Sequence, residues 1–245
     1  MDDKAVTLVV TSCGRPDLLK ETLNSFDRLN TYTLTRKVLI EDSADSKMEQ
    51  FLTKRYSAYF DTIIINKPKL GHMKSIDRAY KEVETPYIFH CEDDWEFIKE
   101  GFIEDSFLLM DQDPKLINIY LRGVTENNAH QLESEILVFN NKLKYRRVLD
   151  VVPGKPDQYR GFTLNPSLKR LNDYHLIGSY AAFESELALV QKYQDLGYHA
   201  ISFEEAYIRH IGAGRHVPRP TDTYMRRLKL KLRNKLKSRK LFTHP

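Results

Sequence analysis

The 245-residue sequence contains only two cysteines, Cys13 and Cys91. That excludes a disulfide scaffold, and because each falls at the end of an expected strand, both are predicted to be reduced core thiols. No apolar run approaches the length of a bilayer-spanning helix, and no signal-peptide pattern opens the chain. A cytoplasmic protein is expected. Internal repeats are absent too, and a mean hydropathy of −0.51 fits a globular chain long enough to bury one core.

Basic charge is scarce over most of the chain. The formal net charge is +4, yet nine Lys or Arg and no acid follow Asp222, which leaves residues 1–221 with 29 basic and 33 acidic side chains. A globally basic nucleic-acid binder is therefore excluded, and no nucleic acid is expected as a partner. The division that follows is one α/β domain over 1–221 and a basic tail over 222–245. Within the tail, Met225, Leu228, Leu232 and Leu236 share one helical face and basic residues cover the rest. An amphipathic helix over 224–242 lying on an anionic membrane surface is expected, with the protein peripheral on the inner face of the cell membrane.

The body begins with Val6 to Val10, a β-branched run, and Gly14-Arg15-Pro16 closes it before Leu18, Leu19, Leu23 and Phe26 recur at helical spacing. Lys37 to Ile40 and Thr62 to Ile65 read as further strands, with a helix between them near Lys47 to Tyr59. Asn66 to Gly71 is a turn into a helix carrying Met73, Ile76, Tyr80 and Val83 on one face, and Thr85-Pro86 stops it. Four β/α alternations in the first hundred residues predict a mostly parallel sheet with helices on both faces. Beyond it, a helix over Gly101–Met110, a strand over Leu116–Leu121, a β pair from Glu135–Phe139 and Lys144–Val151, a long irregular segment over Pro153–Tyr174, a helix over Glu184–Leu196 and a strand over His199–Phe203 are expected.

The fourth strand begins at Tyr87 and ends in Glu92-Asp93-Asp94. Three adjacent carboxylates at a strand end are costly unless something positive sits among them. A divalent cation is one answer, since Mg²⁺ or Mn²⁺ takes oxygen ligands and completes its shell with substrate phosphates; a solvated acidic turn is the other. Ligands of such sheets gather beyond the carboxyl ends of the strands, where Thr11 to Arg15, Asp42 and the triplet would share one rim.

Three stretches, Val9 to Leu18, Asn66 with Gly71 and Asp77, and Glu92-Asp93-Asp94, resemble the nucleotide-diphospho-sugar glycosyltransferases of the GT-A fold, most closely the family-2 group. The likeness covers residues 5 to 100 well and 175 to 216 more loosely; it departs from the pattern at the displaced first glycine and at Asp77, where Asn is usual. It implies a Rossmann-like central sheet, a nucleotide-sugar-binding half over about residues 1–100 and an acceptor-binding half over about 101–221, to which the basic amphipathic C-terminal helix read from the tail's own spacing is appended. It further implies that Thr11, Ser12 and Arg15 line the nucleotide pocket, that Asp42 accepts from base or ribose, and that Glu92 and Asp93 reach ribose or cation through water; Lys74, near the N-terminus of the third helix, and Arg215, in the late glycine-bearing loop, are cations expected to approach the diphosphate. Asp94 and His210 would hold Mn²⁺ or Mg²⁺. Glu205, or Glu204 in reserve, would be the catalytic base of an inverting transfer from a nucleotide-sugar donor, UDP by expectation, to a glycan or lipid-linked acceptor in surface polysaccharide synthesis. A sugar nucleotidyltransferase, or a non-catalytic carbohydrate- or membrane-binding module on this fold, is the alternative; Thr11 to Asp17 lacks the glycine-rich, lysine-bearing loop that the former needs.

Overall fold

The computed structural model describes residues 2–124, 131–152, 155–159, 161–215 and 217, so the helix expected over 224–242 lies outside the described residues. The first half runs β1 (Val6–Ser12), α1 (Pro16–Leu29), β2 (Arg36–Glu41), α2 (Ser46–Tyr56), β3 (Thr62–Ile65), α3 (His72–Tyr80), β4 (Tyr87–Glu92), β5 (Trp95–Phe97) and α4 (Phe102–Met110). Pro16 sits in the first turn of α1, where its missing N–H costs nothing. The Asp45 carboxylate caps α2 by accepting from Lys47 N at 2.8 Å.

The second half continues with β6 (Leu116–Tyr120), β7 (Leu137–Phe139), β8 (Leu143–Arg147), β9 (Val151–Val152), β10 (Lys155–Tyr159), β11 (Ser167–Arg170), α5 (Leu171–Ile177), α6 (Glu186–Asp195), β12 (His199–Phe203) and β13 (Ile208–His210). The central sheet has the order β11-β4-β1-β2-β3, parallel except for antiparallel β11. Strand alternation divides its side chains between two cores. Val6, Leu8 and Val10 of β1 face α1, α2 and α4, whereas Val9, Val38 and Ile40 face α3, α5 and α6.

Two findings differ from the sequence expectation. The segment over 153–174 is not wholly irregular: it contains β11, which completes the central sheet from the second half of the chain, and the start of α5. Arg170 fastens β11 to the turn before β6 by donating to the carbonyls of Met110, Asp113 and Leu116 at 2.6, 3.0 and 2.9 Å. The acidic triplet, moreover, is split, with Glu92 inside β4 and Asp93-Asp94 forming the turn into β5. A second sheet, ordered β6-β12-β8-β7, stands beside the first, and β13 pairs antiparallel with β5. That last pairing carries residues 208–215 back to the acidic turn.

Candidate active site

The carboxyl ends of β1 and β4 are locked together by one carboxylate. Asp93 is fully buried and accepts from Ser12 Oγ at 3.1 Å, from Cys13 N at 3.2 Å and from the Arg15 guanidinium. Burial raises its pKa, and Arg15 opposes the rise. With its oxygens committed inward, Asp93 is an internal anchor for the β1 loop and is not placed to reach a ribose. Ser12 is spent on the same anchor, and Thr11 beside it is 7% exposed. A neighbouring acid, Glu41, does similar work: its Oε1 accepts from Gly14 N at 2.9 Å and Ser43 N at 2.7 Å, which ties the loops after β1 and β2.

Asp94 points the other way, to a junction of distant residues. Its Oδ2 accepts from Arg15 Nη1 at 2.7 Å and lies 3.3 Å from His210 Nε2. Burial pushes its pKa up, but the His210 hydrogen bond and the Arg15 charge outweigh it and hold the carboxyl below its ordinary value. The backbone closes over this point, because Ile211 N donates to the Asp94 carbonyl at 2.9 Å and a Cβ on Gly212 would stand 2.3 Å from Asp94 Oδ2. Arg215 arrives on the same segment: its carbonyl accepts from Arg15 at 3.3 Å and its guanidinium pairs with Asp17.

Among the described residues no three His, Cys, Asp or Glu side chains form a ready cation cluster. The residues nevertheless fit Mn²⁺ or Mg²⁺ bound with its substrate, since a carboxylate oxygen and an imidazole nitrogen converge where glycine alone leaves room, and such ions draw further ligands from phosphates. Arg15 meanwhile supplies the positive charge that the acidic turn requires.

Glu92 faces a different space. Its Oε2 accepts from Trp95 Nε1 at 3.1 Å, its Oε1 lies 3.5 Å from His72 Nε2, and burial, with the fields of Asp94, Asp93 and Glu186, pushes its pKa up to about 8. A cavity of about 350 Å³ lies between the end of β6, the loop before β11 and the start of α6, with Arg122, Gln131, Thr163, Asn165 and Glu186 among the residues lining it. Ser185 caps α6 by accepting from Ala188 N at 3.2 Å, which holds Glu186 in the first turn, and Glu186 Oε1 accepts from Leu164 N at 3.1 Å.

The structure thus brings Ser12, Arg15, Asp93, Asp94, His210 and Arg215 together, with Glu92 adjoining. Other expected site residues lie elsewhere. The Asp42 carboxylate, 5% exposed, accepts from Leu70 N and Gly71 N at 2.7 and 2.8 Å and from Asn66 Nδ2 at 2.9 Å, so it shapes the turn before α3. Lys74 is a solvent-exposed residue of α3. Glu205 is 76% exposed at its side chain and pairs with Lys99 at 2.5 Å, while Glu204 pairs with Arg146 of β8. Neither lines the cavity. Glu186, which does, escaped the sequence reading because an acid in the first turn of a helix also complements the helix dipole; the available signal was the Glu184-Ser185-Glu186 cluster at the head of that helix.

No curated protein matches the sequence. Among solved structures, the fold resembles Staphylococcus aureus TarS, with a TM-score of 0.57 and 17% identity over 83% of this chain and 36% of that one. S. aureus TarS 1-349 in complex with UDP-GlcNAc gives a TM-score of 0.56 at 14% identity over 94% of this chain and 66% of that one. GalNAc-T7 with UDP, GalNAc and Mn²⁺ gives 0.56 at 12% identity over 84% of this chain and 43% of that one. The chain therefore spans roughly a third to two thirds of the length of these structures. The glycosyl transferase family 2 model matches residues 7–186, from β1 through the first residue of α6, and the chain belongs to that family.

Proposed function

We propose that the protein is a metal-dependent, inverting glycosyltransferase that moves a sugar from a UDP-linked donor to a glycan or lipid-linked acceptor. The observation that carries this reading is the convergence of Asp94 and His210 at the rim, with the Glu186 carboxylate in the adjoining cavity and close enough to Glu92 to raise its pKa. The fold shared with TarS, seen with UDP-GlcNAc, and with GalNAc-T7, seen with UDP and Mn²⁺, supports a nucleotide-sugar donor and a divalent ion. Asp94 and His210 would hold that ion, and when bound it neutralises charge gathering on the departing diphosphate. Arg15 anchors the loop that frames the rim. Glu186 takes the proton from an acceptor hydroxyl as that oxygen attacks the anomeric carbon from the face opposite the leaving nucleotide.

Thermal unfolding tests the donor site. UDP with Mn²⁺ at a hundred times its Kd is expected to stabilise the native protein by about 2.7 kcal/mol, and Asp94→Asn is expected to lose that gain. Equal stabilisation of Asp94→Asn, or by UDP with the metal chelated, would contradict the proposal.

A further inference from the structure

We propose that the cavity beside the acidic turn binds an anionic oxygen group, a phosphate or a carboxylate, through Arg122. The inference rests on reading that cavity as a substrate site. Arg122 lines it and lies over Trp95, its guanidinium carbon 5.6 Å from the ring centroid. It is half-buried and has no acidic partner among the described residues.

That isolation is particular to this residue. The other partly buried arginines that the structure describes each have a carboxylate within 4 Å: Arg15 has Asp93 and Asp94, Arg36 has Glu82, Arg146 has Glu204, Arg170 has Asp173 and Arg215 has Asp17. Burial lowers the Arg122 pKa, and no acid among the described residues offsets it. A guanidinium stays charged at any ordinary pH, and withdrawing a charge from water without a partner is unfavourable. Glu186, across the same cavity, already receives the Leu164 N–H and lies in the field of buried Lys169. Among the described residues, the uncompensated charge of the cavity is thus the arginine. Its planar fork of donors matches the paired oxygens of a carboxylate or phosphate, and Gln131, Thr163 and Asn165 on the same wall offer hydrogen bonds suited to a polyhydroxylated ligand.

Trp95 is the sole tryptophan of the chain and lies directly against Arg122, so its fluorescence reports the site. The full-length protein is titrated with inorganic phosphate, with acetate and with neutral glycerol. Saturable change with either anion and none with glycerol is expected, weakened at least tenfold in Arg122→Gln and partly restored in Arg122→Lys, which also serves if the Gln variant is unstable. UDP with Mn²⁺ then separates two sources of the anion: unchanged UDP affinity in Arg122→Gln assigns it to the acceptor, and a tenfold loss assigns it to the donor. Asp94→Asn keeps the phosphate response while losing that of UDP with Mn²⁺; if it instead keeps both, the donor reading fails and the anion site stands. An anion response absent from the wild type, or equal in Arg122→Gln, overturns the proposal.

Discussion

Gly212 is the residue at which one carbon atom decides whether the rim can work. A Cβ there would fall 2.3 Å from Asp94 Oδ2 and 2.7 Å from Asp94 Cβ, so the carboxylate must shift or the 211–215 segment must lift. Gly212→Ala is expected to lower transfer activity on the order of 10²-fold, the usual consequence of a misplacement near 1 Å, with UDP and Mn²⁺ affinity falling in parallel and the fold intact by circular dichroism. A second residue-scale prediction concerns Lys169, 3% exposed, which donates to Asn118 Oδ1 at 3.0 Å and Thr163 O at 2.9 Å. Burial brings its pKa down from 10.5 to about 7. Between those values the unfolded chain binds a proton that the folded chain lacks, so this residue's contribution to stability rises as pH climbs through the window and is lowest below about 7. Urea unfolding at both ends should show Lys169→Met most stabilised relative to wild type at the acid end, with the advantage shrinking toward the alkaline end. A constant difference would contradict the assignment. Asp94 and His210 were legible in the sequence because each carries chemistry in its residue type and falls at a recognisable strand end or glycine-bearing loop. Arg122 and Glu186 were not, because an arginine without a partner and a glutamate in a cavity are defined by what surrounds them.

Among elements, one side chain ties α3 to α5 and the turn after it. Asp77, 7% exposed, accepts from Tyr174 Oη at 3.0 Å, Ser179 Oγ at 2.6 Å, Tyr180 N at 2.8 Å and Ala181 N at 2.8 Å, and so joins α3 to the end of α5 and the turn after it. Asp77→Ala strands several buried donors and is expected to cost about 3 kcal/mol in denaturant unfolding. Asp77→Asn, which turns an NH₂ toward some of those donors, should fall between the two. On the opposite face of the sheet, Phe26 of α1 meets Phe89, Phe97 and Phe102 with ring centroids 5.8, 5.1 and 5.6 Å away. Phe26→Ala is expected to destabilise by about 3–5 kcal/mol. The first four strands and three helices were legible because their apolar spacing matched their burial. β11 was hidden because Ser167 and Lys169, both buried, sit where apolar residues are expected, and because glycine and prolines surround the segment. The β7–β8 pair, by contrast, falls on the two stretches where a β pair was expected, within a residue at the start of β8.

At the scale of the molecule, the second half of the chain completes the first. β11 adds the edge strand beside β4, and the β13–β5 pair returns His210, Gly212 and Arg215 to the acidic turn, so the site is assembled from segments more than a hundred residues apart. No helix among the described residues is long and apolar enough to cross a membrane. The basic stretch over 224–242 is proposed to lie on an anionic membrane surface, where a lipid-linked acceptor would be met. Truncation after Thr221 should abolish flotation with anionic liposomes while leaving UDP binding unchanged, and undiminished flotation would refute that role. The central claim, that proton transfer belongs to the cavity and not to the acidic pair after β12, is tested most directly by comparing Glu186→Gln with Glu205→Gln in single-turnover transfer from a UDP-sugar with Mn²⁺. Glu186→Gln is predicted to slow transfer by about 10²-fold or more at unchanged UDP affinity, with Glu205→Gln close to wild type; the reverse pattern, full activity in Glu186→Gln and loss in Glu205→Gln, would contradict it.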